Sequence, residues 1–163
     1  MTLATLTPTG LVWREDEKEA IAAFESANPG YRIIHTPPGK SAILDGVIVK
    51  SDEVAGVVVR GSVEIKCRSA GMSELADWGS LLISTNKIIG LEKCSELFRV
   101  PSYVLIWSRA DHDYRIACTH DDCGTPQHSA VSVPSRTQET CEGGSVVREN
   151  SYLPWAMFSG RTL

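Results

Sequence analysis

The chain has 163 residues, of which 42% are hydrophobic and 22% are charged, as in ordinary soluble globular proteins. Its formal net charge of −4 excludes a protein that coats nucleic acid through a general excess of Lys and Arg, so any nucleic-acid contact must be local. No apolar run approaches the roughly 18 residues of a membrane span, and the first ten residues lack a secretory leader. Five scattered cysteines argue against a disulfide framework. We therefore expect a cytoplasmic protein without a membrane partner.

The first half of the chain reads as one helix followed by three strands. An apolar stripe at helical spacing predicts a helix over residues 13–27, which Asn28, Pro29 and Gly30 end, and Glu17 falls on that stripe. Strands are predicted over residues 31–35, 42–49 and 54–67, the last with a bulge at residues 60–61.

The second half begins with a polar stretch, residues 68–80, that predicts a loop. A helix follows over residues 84–99, with Ser84 as its N-cap and an inward stripe of Lys87, Leu91, Cys94 and Phe98. Two strands are predicted over residues 103–107 and 114–118. The remainder reads as loop, with a short strand at 145–148 and an aromatic segment, 152–158, that docks on the core.

This order of elements predicts an α/β or α+β fold in which a mixed central sheet is flanked by helices. We expect a single domain over residues 1–163, with its core at about residues 13–118 and a loop-rich extension at 119–163.

Charged residues on two neighbouring apolar strands form the candidate site. Asp45 is the one charge in the run 42–49, and Glu64 and Lys66 point to the same face of the next strand because strand side chains alternate. Lys87 lies on the inward face of the second predicted helix. Burying such charges is costly unless something compensates them, and a divalent cation is the natural compensation.

An Asp on one strand, Glu-Ile-Lys on the next, a preceding helix with an inward Glu and a following helix with an inward Lys together resemble the PD-(D/E)XK nuclease superfamily. The resemblance spans residues 13–118 and is strongest to small phage-encoded nucleases, where a segment similar to residues 83–87 opens the second helix. It implies a restriction-endonuclease-like core in a prokaryotic or phage-infected cell. Position 44 holds Leu instead of Pro, a variation that the superfamily tolerates.

The resemblance also implies roles for individual residues. Asp45, Glu64 and the backbone carbonyl of Ile65 would bind Mg²⁺, for which Mn²⁺ would substitute, and Glu17 would be a further ligand. Lys66 and Lys87 would complete the catalytic set for hydrolysis of DNA phosphodiester bonds. Because carboxylates beside Lys66 favour its charged form, we expect it to orient water and stabilise charge instead of abstracting a proton. Arg68 and Trp78 are candidate contacts to phosphate and base, and a homodimer would allow both strands to be cut.

Three other interpretations stay open. The charged residues could form cross-strand ion pairs worth about 0.2–1 kcal/mol, with Lys87 extending to solvent and Glu17 belonging to an ordinary acidic helix start. The chain could be a catalytically idle DNA-binding or assembly subunit with a nuclease-like fold. It could also be a zinc-supported interaction domain, but the string Cys118, His120, Cys123 and His128 matches no common zinc module, so we do not expect zinc.

Overall fold

The computed structural model describes residues 8–37, 42–140, 143–158 and 160–163. Segment 1–7 and Cys141, on which the leader and disulfide predictions partly rest, lie outside these ranges. Among the described helices, none is both long and apolar enough to span a membrane. The helices are α1 (Pro8–Ala27), α2 (Met72–Asp77) and α3 (Thr85–Phe98), and a 3-10 turn covers Trp155–Met157. The strands are β1 (Tyr31–His35), β2 (Gly46–Asp52), β3 (Gly56–Arg68), β4 (Ser80–Ser84), β5 (Ser102–Ser108), β6 (Asp113–His120), β7 (Val131–Thr140) and β8 (Gly143–Pro154).

The strands form two sheets. The larger has the order β1-β2-β3-β5-β6, in which β3 and β5 are parallel and the other pairs are antiparallel. The smaller is antiparallel with the order β4-β8-β7. The prediction of a mixed central sheet flanked by helices is therefore confirmed, and the fold is α+β.

The larger sheet is covered on both faces, as its apolar strands require. Alternate residues of β5 show this directly, since Leu105 and Trp107 pack in the core beneath α1 whereas Val104 and Ile106 pack in the core beneath α3. The α3 side also receives Leu81 of β4, so the smaller sheet closes that core. Both faces of β3 are therefore inside the protein where it passes through the centre of the sheet.

Several local predictions are confirmed. The bulge in β3 occurs where predicted, because Ile48 pairs with Gly61 while Val49 pairs with Val59, which leaves Arg60 as the extra residue. The aromatic segment 152–158 docks on the core through Leu153 and Phe158, both of which are buried. Ser84 is the N-cap position of α3, although its side chain makes no capping hydrogen bond.

Three other predictions are wrong. β2 begins at Gly46, so Asp45 precedes the strand instead of lying within it. The stretch 68–80 is not a loop throughout, since it contains α2 and leads directly into β4. The region 119–163 holds the long hairpin β7–β8, whose largely exposed, Ser- and Thr-rich strands give almost no apolar alternation to detect.

Both helical stripes also differ from prediction. On α3 the buried residues include Ile88, Leu91 and Ser95, whereas Phe98 is 60% exposed. On α1, which begins at Pro8, the buried residues of the first half are Gly10 and Asp16, whereas Trp13 is 44% exposed. A carboxylate can replace an apolar residue there because Asp16 forms a bidentate pair with the guanidinium of Arg109, with Nε 2.9 Å from Oδ1.

Candidate functional site

Asp45 lies where β2 stops pairing with β3. Its backbone N–H donates to the carbonyl of Val63 at 3.2 Å, as a last bond of the ladder. Beyond that point the Asp45 carboxylate takes the place of a backbone carbonyl of β2, because its Oδ2 accepts the backbone N–H of Ile65 at 2.9 Å. Thr36 fixes the carbonyl of Asp45 from the other side, with its backbone N–H at 2.7 Å and its hydroxyl at 2.9 Å.

Glu64 and Lys66 share one face of β3, as strand alternation predicts. Val63 and Ile65, which alternate with them along the strand, pack on the opposite face, in the core beneath α1. The Glu64 side chain is completely buried, and its Oε1 pairs with the ammonium of Lys66, which is 24% exposed. β3 thus holds the Glu64 carboxylate in the interior, whereas the Lys66 ammonium that pairs with it reaches the surface.

Lys87, in the first turn of α3, links the two carboxylates. Its Nζ lies 3.0 Å from Oδ1 of Asp45 and 2.9 Å from Oε2 of Glu64. α3 comes close enough because position 90 is Gly, where an added Cβ would stand 2.1 Å from Cγ2 of Ile43 in the segment that leads to Asp45. The structure therefore brings Asp45, Glu64, Lys66 and Lys87 together, and we call these four residues the carboxylate–lysine cluster.

The cluster holds its two acids in different electrostatic environments. Burial raises the pKa of Asp45, but the ammonium groups of Lys66 and Lys87 and the Ile65 N–H outweigh it, so its pKa falls below its usual value. Burial raises the pKa of Glu64, and the neighbouring Asp45 adds to this, despite the opposing lysines. Burial lowers the pKa of Lys87, yet Glu64 and Asp45 raise it above its ordinary value. Asp45 is therefore the acid that ionises readily, and Glu64 is the one whose charge needs further compensation.

The oxygen atoms of the cluster fit a hard divalent cation. Oε2 of Glu64 is buried, and its close partner is the Lys87 ammonium at 2.9 Å, an ion-pair contact that does not meet normal hydrogen-bond geometry. A strand residue directs its N–H and C=O to the same side, so the Ile65 carbonyl faces the edge that Asp45 occupies. Carboxylate and carbonyl oxygens are the protein ligands that Mg²⁺ prefers. Asp45, Glu64 and the Ile65 carbonyl would hold it.

Glu17 is not brought into this cluster. Its Oε2 lies 3.3 Å from Nε2 of His35, and that hydrogen bond is the main cause that raises the pKa of His35. The carboxylates of Glu17, Asp45 and Glu64 do not all lie within 4.8 Å of one another, as a shared ion would require. Glu17 does border a small cavity of about 170 Å³ together with Ile65 and Lys66, so it lies near the cluster without joining it.

Next to the cluster is a cleft of about 550 Å³ between the end of β3, α1 and the smaller sheet. Of the two predicted substrate contacts, Arg68 lines this cleft and Trp78 does not; Trp78 follows α2 and is half exposed elsewhere. The aromatic residue that lines the cleft is Trp13. The position of Trp13 on an apolar helical stripe predicts that it is buried. Only its place near the start of α1 could have distinguished it from a core residue.

The candidate zinc string does not form a cluster. The Cys118 thiol donates to the backbone carbonyl of His120, and the rings of His120 and His128 stack edge to face with centroids 5.4 Å apart. In the described part of the chain, the one group of three potential ligands within 4.8 Å is Asp121, Asp122 and Cys123. There Asp121 accepts the backbone N–H groups of Cys123 and Thr125, which is the geometry of an ordinary Asx turn.

Comparisons with known proteins add no relative to this description. No family model matches the chain, and searches of curated proteins and of solved structures find no match. The inference of function therefore depends on the carboxylate–lysine cluster and the cleft beside it.

Proposed function

We propose that this protein is a Mg²⁺-dependent deoxyribonuclease whose active site is the carboxylate–lysine cluster. The observation that carries the proposal is the meeting of two carboxylates and two lysines, from β3, α3 and the segment before β2, around a buried Glu64 oxygen without a hydrogen bond. Their sequence spacing, which resembles that of the PD-(D/E)XK nucleases, supports the same conclusion.

A purely structural role explains this arrangement poorly. Burying an ion pair has a desolvation penalty that often cancels its attraction, so well-packed apolar residues would stabilise the fold at least as well. Glu64 is nevertheless fully buried, and burial raises its pKa despite the two neighbouring lysines, which marks its charge as incompletely compensated. Carboxyl groups with perturbed pKa values, close to charged groups that line a cleft as Lys66 does, are typical of catalytic centres.

The proposed reaction is hydrolysis of a phosphodiester bond by in-line attack of water. When bound, Mg²⁺ supplies charge stabilisation to the phosphate oxygens, on which negative charge increases in the transition state. Lys66 faces the cleft and the Glu64 carboxylate, so its ammonium donates to the attacking water or to a phosphate oxygen. Lys87 keeps Asp45 ionised and in position. Thr36 and the Ile65 N–H hold Asp45 in one orientation.

The test is DNA cleavage by the purified full-length chain with and without Mg²⁺. We expect metal-dependent cutting, and a loss of about 100- to 1,000-fold in kcat for Lys66→Met, as for removal of a charge-stabilising donor. Glu64→Gln should be inactive, since it removes the charge but keeps the volume. Glu74→Gln, an exposed acid of α2, is the matched control and should cut normally. Cleavage by Glu64→Gln at the parent rate would show that the cluster is not the active site.

One observation favours a second function, that of a catalytically idle DNA-binding or assembly subunit. Lys66 and Lys87 already neutralise much of the charge on Glu64 and Asp45 without an ion. Titration calorimetry with Mg²⁺ and Mn²⁺ separates the two functions. Heat of metal binding that disappears in Glu64→Gln supports the nuclease, whereas no binding with or without DNA supports the idle subunit.

A further inference from the structure

The cleft beside the cluster is strongly cationic, although the chain as a whole is acidic. Four cationic side chains line it, and Asp16 is the one carboxylate among the lining residues. Two of the cations are already paired, Arg109 with Asp16 and Lys66 with Glu64. Concentrating positive charge in one concave region of a protein with net charge −4 favours an anionic ligand there.

Two arginines of the cleft have charges that no described carboxylate neutralises. The guanidinium of Arg68 donates to the backbone carbonyls of Cys67 at 3.0 Å and Leu82 at 3.2 Å, and no described acid lies within ion-pair distance. Arg148 on β8 is exposed and likewise has no ion-pair partner among the described residues. A half-buried arginine held by two carbonyls, with no counter-charge, is arranged to receive an anion such as phosphate.

A second cavity shares part of its wall with the cleft. Ser84 and Arg148 line both the cleft and this second cavity of about 450 Å³, whose wall also contains Lys87. Lys66 therefore borders the first cavity and Lys87 the second, with Arg148 bordering both. A chain of phosphates that passed from one cavity to the other would run along the carboxylate–lysine cluster.

The cleft also carries an aromatic surface. Trp13 is 44% exposed and lines the cleft together with Lys66 and Arg68. An exposed indole beside phosphate-binding cations is how proteins hold unpaired bases, since every base has a face that stacks on an aromatic ring. A base within a duplex already stacks on its neighbours and cannot offer that face.

The size of the cleft agrees with this. A volume of about 550 Å³ is that of a small-ligand pocket and is large enough to receive an individual nucleotide. From the unpaired arginines, the exposed indole and this volume, we infer that the cleft binds single-stranded DNA, with a base on Trp13 and phosphates on Arg68 and Arg148. This inference depends on the proposed function for what happens to the strand, but the binding itself does not need cleavage.

Binding is measured by fluorescence anisotropy of the full-length protein in EDTA, where no metal-supported cleavage occurs. The probes are a labelled single-stranded oligonucleotide and the blunt duplex of the same sequence. The single strand should bind more tightly than the duplex. Trp13→Ala should weaken single-strand binding by about 5- to 150-fold, as loss of one stacked base does, and Trp13→Phe should restore most of it. Trp78→Ala, the other half-exposed tryptophan, is the control and should bind as the parent does.

The salt dependence tests the arginines. Arg148→Gln should reduce the slope of log Kd against log salt by about 0.7, the value for one phosphate contact on a single strand. Arg60→Gln, an exposed arginine on the bulge of β3 and outside the cleft, should leave the slope unchanged. Unfolding curves for each variant establish that the fold is retained.

The outcomes separate this inference from the proposed nuclease. Single-strand binding that depends on Trp13 and Arg148, in a protein that cuts nothing, would support the cleft inference and overturn the nuclease. Metal-dependent cutting of blunt duplex, with binding unaffected by Trp13→Ala and Arg148→Gln, would support the nuclease and overturn the inference. Equal affinity for the duplex and the single strand would also overturn it.

Discussion

The Asp45 carboxylate accepts the backbone N–H of Ile65 at 2.9 Å, at the point where β2 stops pairing with β3. One side chain thus does two things, since it continues the hydrogen bonding of the sheet edge and places its other oxygen 3.0 Å from the ammonium of Lys87. A substitution at this position affects both the fold and the cluster, and the two effects can be separated experimentally.

Asp45→Asn retains an amide oxygen for the Ile65 N–H but removes the charge. We expect it to lose DNA cleavage by at least about 100-fold while its unfolding free energy falls less than that of Asp45→Ala, which leaves the Ile65 N–H unpaired at about 1–3 kcal/mol. Urea unfolding and a cleavage assay on both variants measure this. Asp45→Asn that cuts normally would remove Asp45 from the site.

Lys87→Met removes the cation shared by Asp45 and Glu64. Without metal, the variant should lose about 3 kcal/mol of unfolding free energy, at the lower end for breaking a buried ion pair because Lys66 remains. Mg²⁺ should then raise its melting temperature more than it raises that of the parent, because the ion takes the place of the missing ammonium. Lys93→Met on the exposed side of α3 is the control. An unchanged response to Mg²⁺ would contradict the proposed metal ligands.

The opposed pKa shifts of Glu64 and Asp45 predict that the two acids affect folding stability in opposite directions as pH changes. The raised pKa of Glu64 means that the folded protein holds this proton above the usual carboxyl range, so the group favours the fold at low pH and this contribution decreases as pH rises through its folded pKa. The lowered pKa of Asp45 has the opposite sign, with stabilisation present above its unfolded value and lost as pH falls through the folded one.

Mg²⁺ requires the ionised form of Glu64, so its affinity should increase with pH across the raised pKa and its binding should release a proton. Calorimetry in two buffers of different ionisation enthalpy measures that proton. In Glu64→Gln both the pH dependence and the proton should disappear. An affinity in the parent that does not change with pH above the usual carboxyl range would contradict this assignment.

Gly90 determines how closely α3 approaches the segment that carries Asp45. In Gly90→Ala the new methyl group would stand 2.1 Å from Cγ2 of Ile43, so the segment must move away from Lys87. We expect a loss of about 1–3 kcal/mol in unfolding free energy, together with reduced cleavage. Adding Ile43→Ala should restore part of both, and a double-mutant cycle measures the coupling. Additive effects of the two substitutions would contradict the contact.

The features that could be predicted best from the sequence are those that follow from the periodicity of strands and helices. Glu64 and Lys66 face one side of a strand because residues two apart always do. Trp13 and Asp16 could not be placed, because an ion pair with Arg109 across the sheet rotates the buried face of α1. Within the hairpin β7–β8, residues 145–148 of β8 were predicted as a strand, and the rest was missed because most of its residues face solvent and carry no apolar pattern.

The candidate site was likewise predicted where sequence spacing determines it and missed where tertiary packing does. Spacing alone predicted that Asp45 and Glu64 lie on adjacent segments, but the contact of Lys87 with both depends on the path of α3 past Gly90, which no local pattern encodes. Trp78 was a reasonable choice for a stacking residue because it lies in the segment after Lys66, yet it follows α2 and does not line the cleft. Superfamily membership, the single domain and a homodimer stay predictions.

The central claim is that Asp45, Glu64 and the Ile65 carbonyl bind one divalent cation, and a crystal soaked in Mn²⁺ tests it most directly by anomalous scattering. We predict an anomalous peak at about 2.0–2.2 Å from oxygens of Asp45 and Glu64, with the Lys87 ammonium displaced from Oε2 of Glu64. No peak at these oxygens while both lysines remain paired as they are here, or a peak at Asp121 and Asp122 alone, would contradict the claim.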